Sequence, residues 1–291
     1  MRTVYILLPT YNRVNTVSKF IECLKLQTYS RYELLLIDDA STDNTIRVCT
    51  ELLPNIHVVH GDGNLWWAGS LQKGIDYLFD ILKPEPSDII LMANDDTTFE
   101  PDFFECGIRL LDANPRTLIL PKWKMLDTGA IKETGAVYDP YSFSFRPSRA
   151  GEEINLFTTM CLFMRWADLV EIGGFYPRLL PHYNSDSEYT YRAYKKGFRL
   201  MTTDELLIVP DRTKTGFHKD VFREMGVIEF VSKYFHRRSS SNPFCKISMI
   251  LLTSPKTRIP QNIFKVLNTV CVDFWTAVKN SFGANSERSS R

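Results

Sequence analysis

Three polar clusters, each placed directly after a run of apolar residues, carry the side chains best suited to chemistry. Asn94-Asp95-Asp96 follows the run at 88–93, Asp38-Asp39 with Ser41 and Asp43 follows 33–37, and Thr10-Tyr11-Asn12-Arg13 follows 3–9. Adjacent carboxylates repel one another unless a cation is present, and hard divalent cations take oxygen ligands of this kind. Asp and Ser also start helices by accepting from free backbone N–H groups. Capping accounts for Ser41 or Asp43. It leaves Asp95 and Asp96 unexplained, because the next helix begins only around Pro101. Metal or ligand binding is the leading reading of these acids, with capping and plain surface acidity as the alternative.

Two familiar motifs fail on nearby residues. Asp39-x-Ser41-x-Asp43 opens like a calcium loop, but the positions that need Gly and Glu hold Asn44 and Thr50. Gly61-Asp62-Gly63 follows an apolar run as a dinucleotide fingerprint does, but the third glycine position is Trp66, whose ring blocks close approach. Trp66 and Trp67 are neighbours and cannot both face one way. One is expected in the core and the other against a sugar or nucleotide ring, with simple core packing as the alternative.

The elements that must position these clusters alternate in period. Continuous apolar runs at 3–9, 33–38, 56–60 and 88–93 read as strands buried on both faces. Between them Val17, Phe20, Ile21 and Leu24 recur at helical spacing, and helices are expected over 42–53, 68–82 and 101–111. This alternation predicts an α/β fold: an open, mostly parallel, Rossmann-like sheet with helices on both faces, binding ligands beyond the carboxyl ends of its strands. All three clusters then converge on one sheet edge. Residues 117–165 read as strands and loops, irregular over 138–153. Helices are expected over 166–172 and 186–196, and a short strand over 205–209.

Taken in order, ILLPTYNR, LLLIDDASTDNT, the NDD after the fourth strand with FEPDFF, TTMCLFMRWADLVEIGGF and SDSEYTYRAYKKG resemble glycosyltransferase family 2 over roughly residues 3–218. GDGNLWWAGSLQKGI looks like members that build bacterial surface polysaccharides, rhamnosyltransferase-like proteins among them. The resemblance implies a GT-A fold and an inverting transfer of sugar from a nucleotide diphosphate to a saccharide acceptor, with Mn2+ or Mg2+ as cofactor. It implies nucleotide binding by Pro9, Thr10, Tyr11, Arg13, Asp39, Asn64, Trp66, Asn94 and Asp95, with Asp39 accepting from an N–H of the base. The family's Asp-x-Asp metal motif falls on Asn94-Asp95-Asp96, a departure at its first position. Asp96 becomes the leading metal ligand, followed by Asp95, with His218 as a late ligand or a structural histidine.

By the same resemblance Asp186 stands at the catalytic base and Glu188 at a second acid. The reaction needs one carboxylate that takes the proton of the acceptor hydroxyl as its oxygen attacks the anomeric carbon opposite the diphosphate. Asp186 also stands where a helix cap would, and both roles are compatible. Trp67, Gly173, Gly174 and Arg192 are expected around the donor or acceptor sugar, although the leading reading of Arg192 is a pair with a nearby acid, with reach to phosphate as the alternative.

Composition bounds the remaining choices. With 44 % hydrophobic and 24 % charged residues the chain reads as globular, which excludes disorder, collagen and coiled coil. The six cysteines include no C-x-x-C pair, so free thiols in a reducing compartment are expected and a zinc site is not. Neither a signal-peptide core nor a membrane span is expected, which suggests the cytoplasm. The net charge of +1 conceals an asymmetry: residues 230–291 hold ten basic residues against Asp273 and Glu287, a net +8, which leaves −7 on residues 1–229.

Within the basic part Ile263, Val266, Leu267, Val270 and Phe274 follow helical spacing. Such a helix either lies on an anionic membrane that carries a lipid-linked acceptor, making the protein peripheral on its inner face, or packs on the domain with a solvated charged face. No nucleic-acid motif accompanies the charge. The expected organisation is a GT-A domain over 1–220, divided near 115 into nucleotide and acceptor halves, then a basic helical extension over 221–282 and a disordered tail over 283–291. A non-catalytic transferase-like binding module is one alternative. A sugar nucleotidyltransferase is another, although PTYNRVNTV lacks its Gly-rich basic loop.

Overall fold

A computed structural model describes residues 2–149, 151–211, 222 and 225–288, with side chains in the last helix described through residue 281. The first apolar runs form β1 (Val4–Thr10), β2 (Tyr32–Asp38), β3 (His57–His60) and β4 (Ile89–Ala93), all parallel, in the order β3-β2-β1-β4. Their side chains alternate between two buried faces. Leu7, Leu35, Ile37, Ile90 and Met92 point to one core, and Ile6, Leu8, Leu34, Leu36 and Leu91 to the other. A strand covered on both sides is apolar at every position, which is why these runs are continuous. Helices α1 (Val14–Lys25), α2 (Thr45–Leu52) and α4 (Phe103–Ala113) cover one face. Helix α3 (Trp66–Tyr77), continued by a π turn over Leu78–Leu82, covers the other.

Beyond β4 the sheet becomes mixed. β5 (Thr97–Thr98), β6 (Thr117–Lys124), β7 (Ile131–Lys132), β11 (Cys161–Arg165) and β12 (Arg199–Pro210) extend it as β4-β11-β6-β12-β5, with β7 beside β6. β11 runs antiparallel to β4 and to β6, while β12 is parallel to β6. β12 is longer than the strand expected over 205–209. Its register slips between Thr203 and Leu207, and this bulge breaks the apolar alternation that would mark its first half.

The stretch expected to be irregular contains a small antiparallel sheet of β8 (Gly135–Asp139), β9 (Ser144–Pro147) and β10 (Leu156–Phe157). β9 is exposed at every position, so it leaves no apolar period to read. Helices α5 (Trp166–Ile172) and α6 (Ser185–Lys195) return the chain to the α3 side of the sheet.

The C-terminal part forms α7 (Val227–Tyr234), α8 (Pro243–Thr253) and α9 (Ile259–Arg288), with a 3-10 turn at Lys256–Arg258. Met249 of α8 is fully buried with Tyr138, Leu156 and Tyr191, tying the extension to the small sheet and α6. Phe222, Phe230, Tyr234 and Ala277 make a separate cluster between α7 and α9. On α9, Val266 is buried, whereas Phe264 is 71 % and Trp275 62 % exposed. The expectation for 283–291 falls on residues whose side chains lie outside the described set. Among the described residues no helix is long and apolar enough to cross a membrane.

Candidate functional site

Thr10 pairs in register with Asp38, and β4 lies against the other side of β1, so the three polar clusters leave the sheet at one edge. There the Thr10 hydroxyl donates to Asp95 Oδ2 at 3.1 Å. Arg13 reaches across from the start of α1 and bridges both acids, Nε to Asp95 Oδ1 at 3.0 Å and Nη2 to Asp96 Oδ2 at 3.1 Å. Burial pushes the Asp95 carboxyl up to about 7, opposed by Arg13 and reinforced by Asp96. Burial likewise holds Asp96 above the usual carboxylate range, against the pull of Arg13. Asp96 Oδ1 is buried without a hydrogen-bond partner among the described residues.

One guanidinium therefore faces two carboxylates, and one carboxylate oxygen lacks a donor. Oxygen ligands with a deficit of positive charge fit a divalent cation. Asp95, Asp96 and Asp211 line a cavity of about 390 Å³ together with Thr16 and Lys19. Among the described residues no three His, Cys, Asp or Glu side chains are grouped to hold a metal. His218, the expected late ligand, lies outside the described residues.

The second cluster is engaged differently from expectation. Asp39 Oδ1 accepts from the backbone N–H of Gly63 at 2.8 Å and of Leu65 at 3.2 Å. Its Oδ2 accepts from Leu65 at 3.0 Å and Trp66 at 3.1 Å. Both oxygens serve the loop that opens α3, so the expected acceptance from a base N–H would share a carboxylate that already holds three backbone N–H groups. Asp43 accepts from the Thr45 N–H at 3.0 Å, as a residue at a helix start does. Asn12 was missed as a positioning residue. In left-handed backbone at φ 52°, it accepts from the N–H groups of Thr42 and Asp43 and donates its own N–H to Ser41 Oγ, fastening the first loop to the second. Tyr11 beside it is exposed.

Asn94 takes a role that its departure from the Asp motif allows. Its Oδ1 accepts from the Trp67 indole N–H at 3.0 Å, an interaction a half-buried indole needs. That bond uses one of the two accepting directions of Oδ1. Trp67 then packs edge-on against Phe175, which stacks on Tyr189. Trp66 faces the opposite way. Its ring lies near His182 and His236, and its indole N–H donates to Asn64 Oδ1 at 3.1 Å.

Asp186 sits in the first turn of α6. Its Oδ2 accepts from the Thr159 N–H at 2.9 Å and its Oδ1 from the Ser187 N–H at 2.8 Å. Burial drives its pKa up to about 6 against these hydrogen bonds. The next residue after Thr159, Met160, accepts from the Asn94 N–H at 2.7 Å, so the turn that holds Asp186 is stitched to the Asp95-Asp96 loop. Thr159 carried no motif and was not singled out. The signal available was its place just before β11, the strand paired with β4.

Glu188 and Arg192 belong to each other. Arg192 grips both Glu188 oxygens at 2.8 and 3.0 Å and donates also to the carbonyls of Ile172 and Gly174. Arg192 thus pairs with a nearby acid as expected, Glu188 is that acid, and together they hold the 172–174 turn. Gly173 has φ +91°, and a Cβ at Gly174 would lie 2.1 Å from Gln72 Oε1. The two glycines thus let the turn close down on α3 and Arg192.

The sequence pattern of glycosyl transferase family 2 matches residues 5–169, more than half of the chain. An uncharacterized glycosyltransferase of Haemophilus influenzae is 27 % identical over 110 residues, 38 % of this chain and 35 % of that protein. One from Rickettsia felis is 44 % identical over 41 residues, 14 % of this chain and 7 % of that protein. The matches thus span about a third or less of these curated relatives. Among solved structures, S. aureus TarS 1-349 superposes with a TM-score of 0.54 at 16 % identity, covering 92 % of this chain and 71 % of that one. The mannosyltransferase PcManGT from Pyrobaculum calidifontis, in complex with GDP-Man and Mn2+, gives 0.54 at 16 % identity over 98 % and 75 %. At these identities the superpositions speak to the fold, which is GT-A-like. With the matched pattern spanning β1 to α5, the chain belongs to glycosyltransferase family 2.

Proposed function

We propose that the protein transfers a glycosyl group from a nucleoside diphosphate sugar to a saccharide hydroxyl, with inversion at the anomeric carbon. The observation that carries this reading is Asp186: a half-buried carboxylate in the first turn of α6, held by two backbone N–H groups, pushed up to about 6, and tied through Thr159 and Met160 to the loop that bears Asp95 and Asp96. A base with a pKa just below neutrality is ionised at physiological pH yet still basic enough to take a proton. Asp186 receives the acceptor hydroxyl's proton while the Thr159 and Ser187 N–H groups fix its direction. Asp96, with Asp95, holds a divalent cation whose chemistry is to offset the charge of the departing diphosphate. Thr10 and Arg13 keep the two acids in place, and Arg13 sets a positive charge against both of them.

The acceptor is proposed to be a lipid-linked saccharide of bacterial surface-polysaccharide synthesis, met at the inner face of the membrane. On α9 the exposed Phe264, Leu267, Val272 and Trp275 form an outward apolar stripe, and Lys256, Arg258, Lys265 and Lys279 flank it. A basic, apolar helix face of this kind binds anionic bilayers, each basic residue contributing about 1 kcal/mol. The division at about residues 115, 220 and 282 is retained as a proposal.

The test is release of nucleoside diphosphate from a panel of nucleotide sugars with Mn2+ or Mg2+. Turnover that is lost with chelator and weakened in Asp96→Asn supports the cation role. Turnover in Asp186→Asn equal to the unaltered protein refutes the base.

A further inference from the structure

The C-terminal extension contributes a turn to the site's rim. Residues 236–241 link α7 to α8 and are pinned by Asn242, which is 4 % exposed. The Asn242 amide donates to the carbonyls of Phe235 and His236, and its Oδ1 accepts from the N–H groups of Phe244 and Cys245. The turn presents two exposed arginines. Arg237 lies over the Trp66 ring at 5.8 Å and donates to Asn64 Oδ1 at 2.6 Å. The charge of Arg238 is felt at His182, whose pKa is lowered to about 4 by burial and then by this arginine and His236. It is felt also at Tyr183, which senses Asp186 in turn. Arg238 has no carboxylate partner among the described residues. The Trp66 ring lies 5.9 Å from His182 and 5.8 Å from His236, so the turn stands beside the segment that leads into α6 and Asp186.

In the segment just before Asp186 two buried polar atoms, Asn184 Nδ2, a donor, and His182 Nδ1, lack partners among the described residues. Buried polar groups are normally satisfied, and a cluster of unsatisfied ones marks a place where a ligand completes the set. Cations without a local counter-ion, an amide donor without an acceptor, and an aromatic ring form a cradle for a phosphate oxygen. Guanidinium groups bind such oxygens in paired hydrogen bonds.

We propose that Arg237 and Arg238, with Asn184, form a phosphate-binding subsite on the acceptor side, so that the acceptor carries a phosphate group close to its reacting hydroxyl. The inference rests on Asp186 marking the acceptor side. A glycosyl acceptor of this class is selected by charge as well as by shape, and the basic extension takes part in recognition.

The full chain is titrated by calorimetry with glycerol 3-phosphate and inorganic phosphate, and separately with nucleoside diphosphate plus Mn2+. The expected result is phosphate-ester binding that weakens at least tenfold in the Arg237→Gln, Arg238→Gln double variant, while nucleoside diphosphate affinity stays within twofold. Both arginines are exposed, so the variant is expected to fold, and circular dichroism checks this. Asn184→Asp, which replaces the amide donor with an acceptor and keeps a residue type that tolerates the left-handed backbone at φ 66°, is expected to weaken the same binding. If phosphate esters do not bind, or bind the double variant equally, the subsite is refuted. If nucleoside diphosphate binding falls in parallel, the arginines serve the donor and the acceptor assignment is overturned. Asp186→Asn separates the two proposals: it is expected to keep phosphate binding while losing turnover.

Discussion

Asp186 shows how one carboxylate combines a structural and a chemical role. Its two hydrogen bonds come from backbone N–H groups, so its direction is set without any other side chain. Those bonds favour the charged form, yet burial outweighs them and lifts the pKa from the model-peptide value of 3.8 to about 6. The base must be unprotonated, so with saturating cation, which keeps Asp95 ionised, activity is expected to be flat above this value and to fall about tenfold per pH unit below it. A kcat–pH profile with no acid limb near 6 would argue against the assignment. Replacement of Asp186 by Asn keeps an acceptor for one N–H but removes the basicity, and should lower kcat by about 10²–10⁴-fold with donor affinity little changed. Single-turnover measurements at saturating donor distinguish this from a binding defect. Glu188→Gln makes the contrast: its partner Arg192 holds a turn, so loss of thermal stability is expected to exceed any specific loss of kcat, read from melting curves and kcat side by side.

At the scale of elements, the site depends on loops that brace one another. Asn12 joins the β1 and β2 exits, Asp39 gathers the start of α3, and Asn94 ties the end of β4 to Trp67 on that helix. Gly174 is where α3 meets the turn before α6. A methyl group there would overlap Gln72 Oε1, and that oxygen also accepts from the Phe175 N–H at 2.7 Å, so it cannot simply swing away. Gly174→Ala is expected to cost about 1–3 kcal/mol as overpacking. Chemical denaturation measures this, and Gln72→Ala in the same chain should recover part of the loss if the clash is the cause. The parallel strands and the helices between them were legible because burial on two faces and on one stripe leaves distinct periods. β9 and the first half of β12 were not legible: one is exposed throughout, and the other is interrupted by a bulge.

For the whole molecule, the charge asymmetry acquires a location. The basic extension is fastened to the rest through Met249, and it delivers the 236–241 turn to Trp66 and Asn64. Met249→Ala is expected to cost about 2–5 kcal/mol, since a buried side chain at a junction leaves a cavity. The outward face of α9 should behave in the opposite way. Phe264→Ser with Trp275→Ser removes exposed side chains, so the melting temperature should hold while binding to vesicles of anionic phospholipid is lost. Vesicle cosedimentation that is unchanged by these substitutions, or insensitive to salt, would exclude the α9 face as a bilayer contact.

The residues alone established the strand–helix alternation, the convergence of three polar clusters and the family, because periodicity and ordered motifs are local properties of a chain. They also singled out Arg13, Asp95, Asp96 and Asp186, residue types whose charge has few cheap explanations. Less legible were the partners of side chains that can bond in several ways. Asp39, Asn94, Glu188 and Arg192 each hydrogen-bond to a group well removed in sequence or to a turn they brace, and a polar atom's role follows from whichever partner reaches it first. The same holds for the amphipathic helix near the C-terminus: spacing marks an apolar stripe, but which stripe is covered depends on what the rest of the chain brings against it.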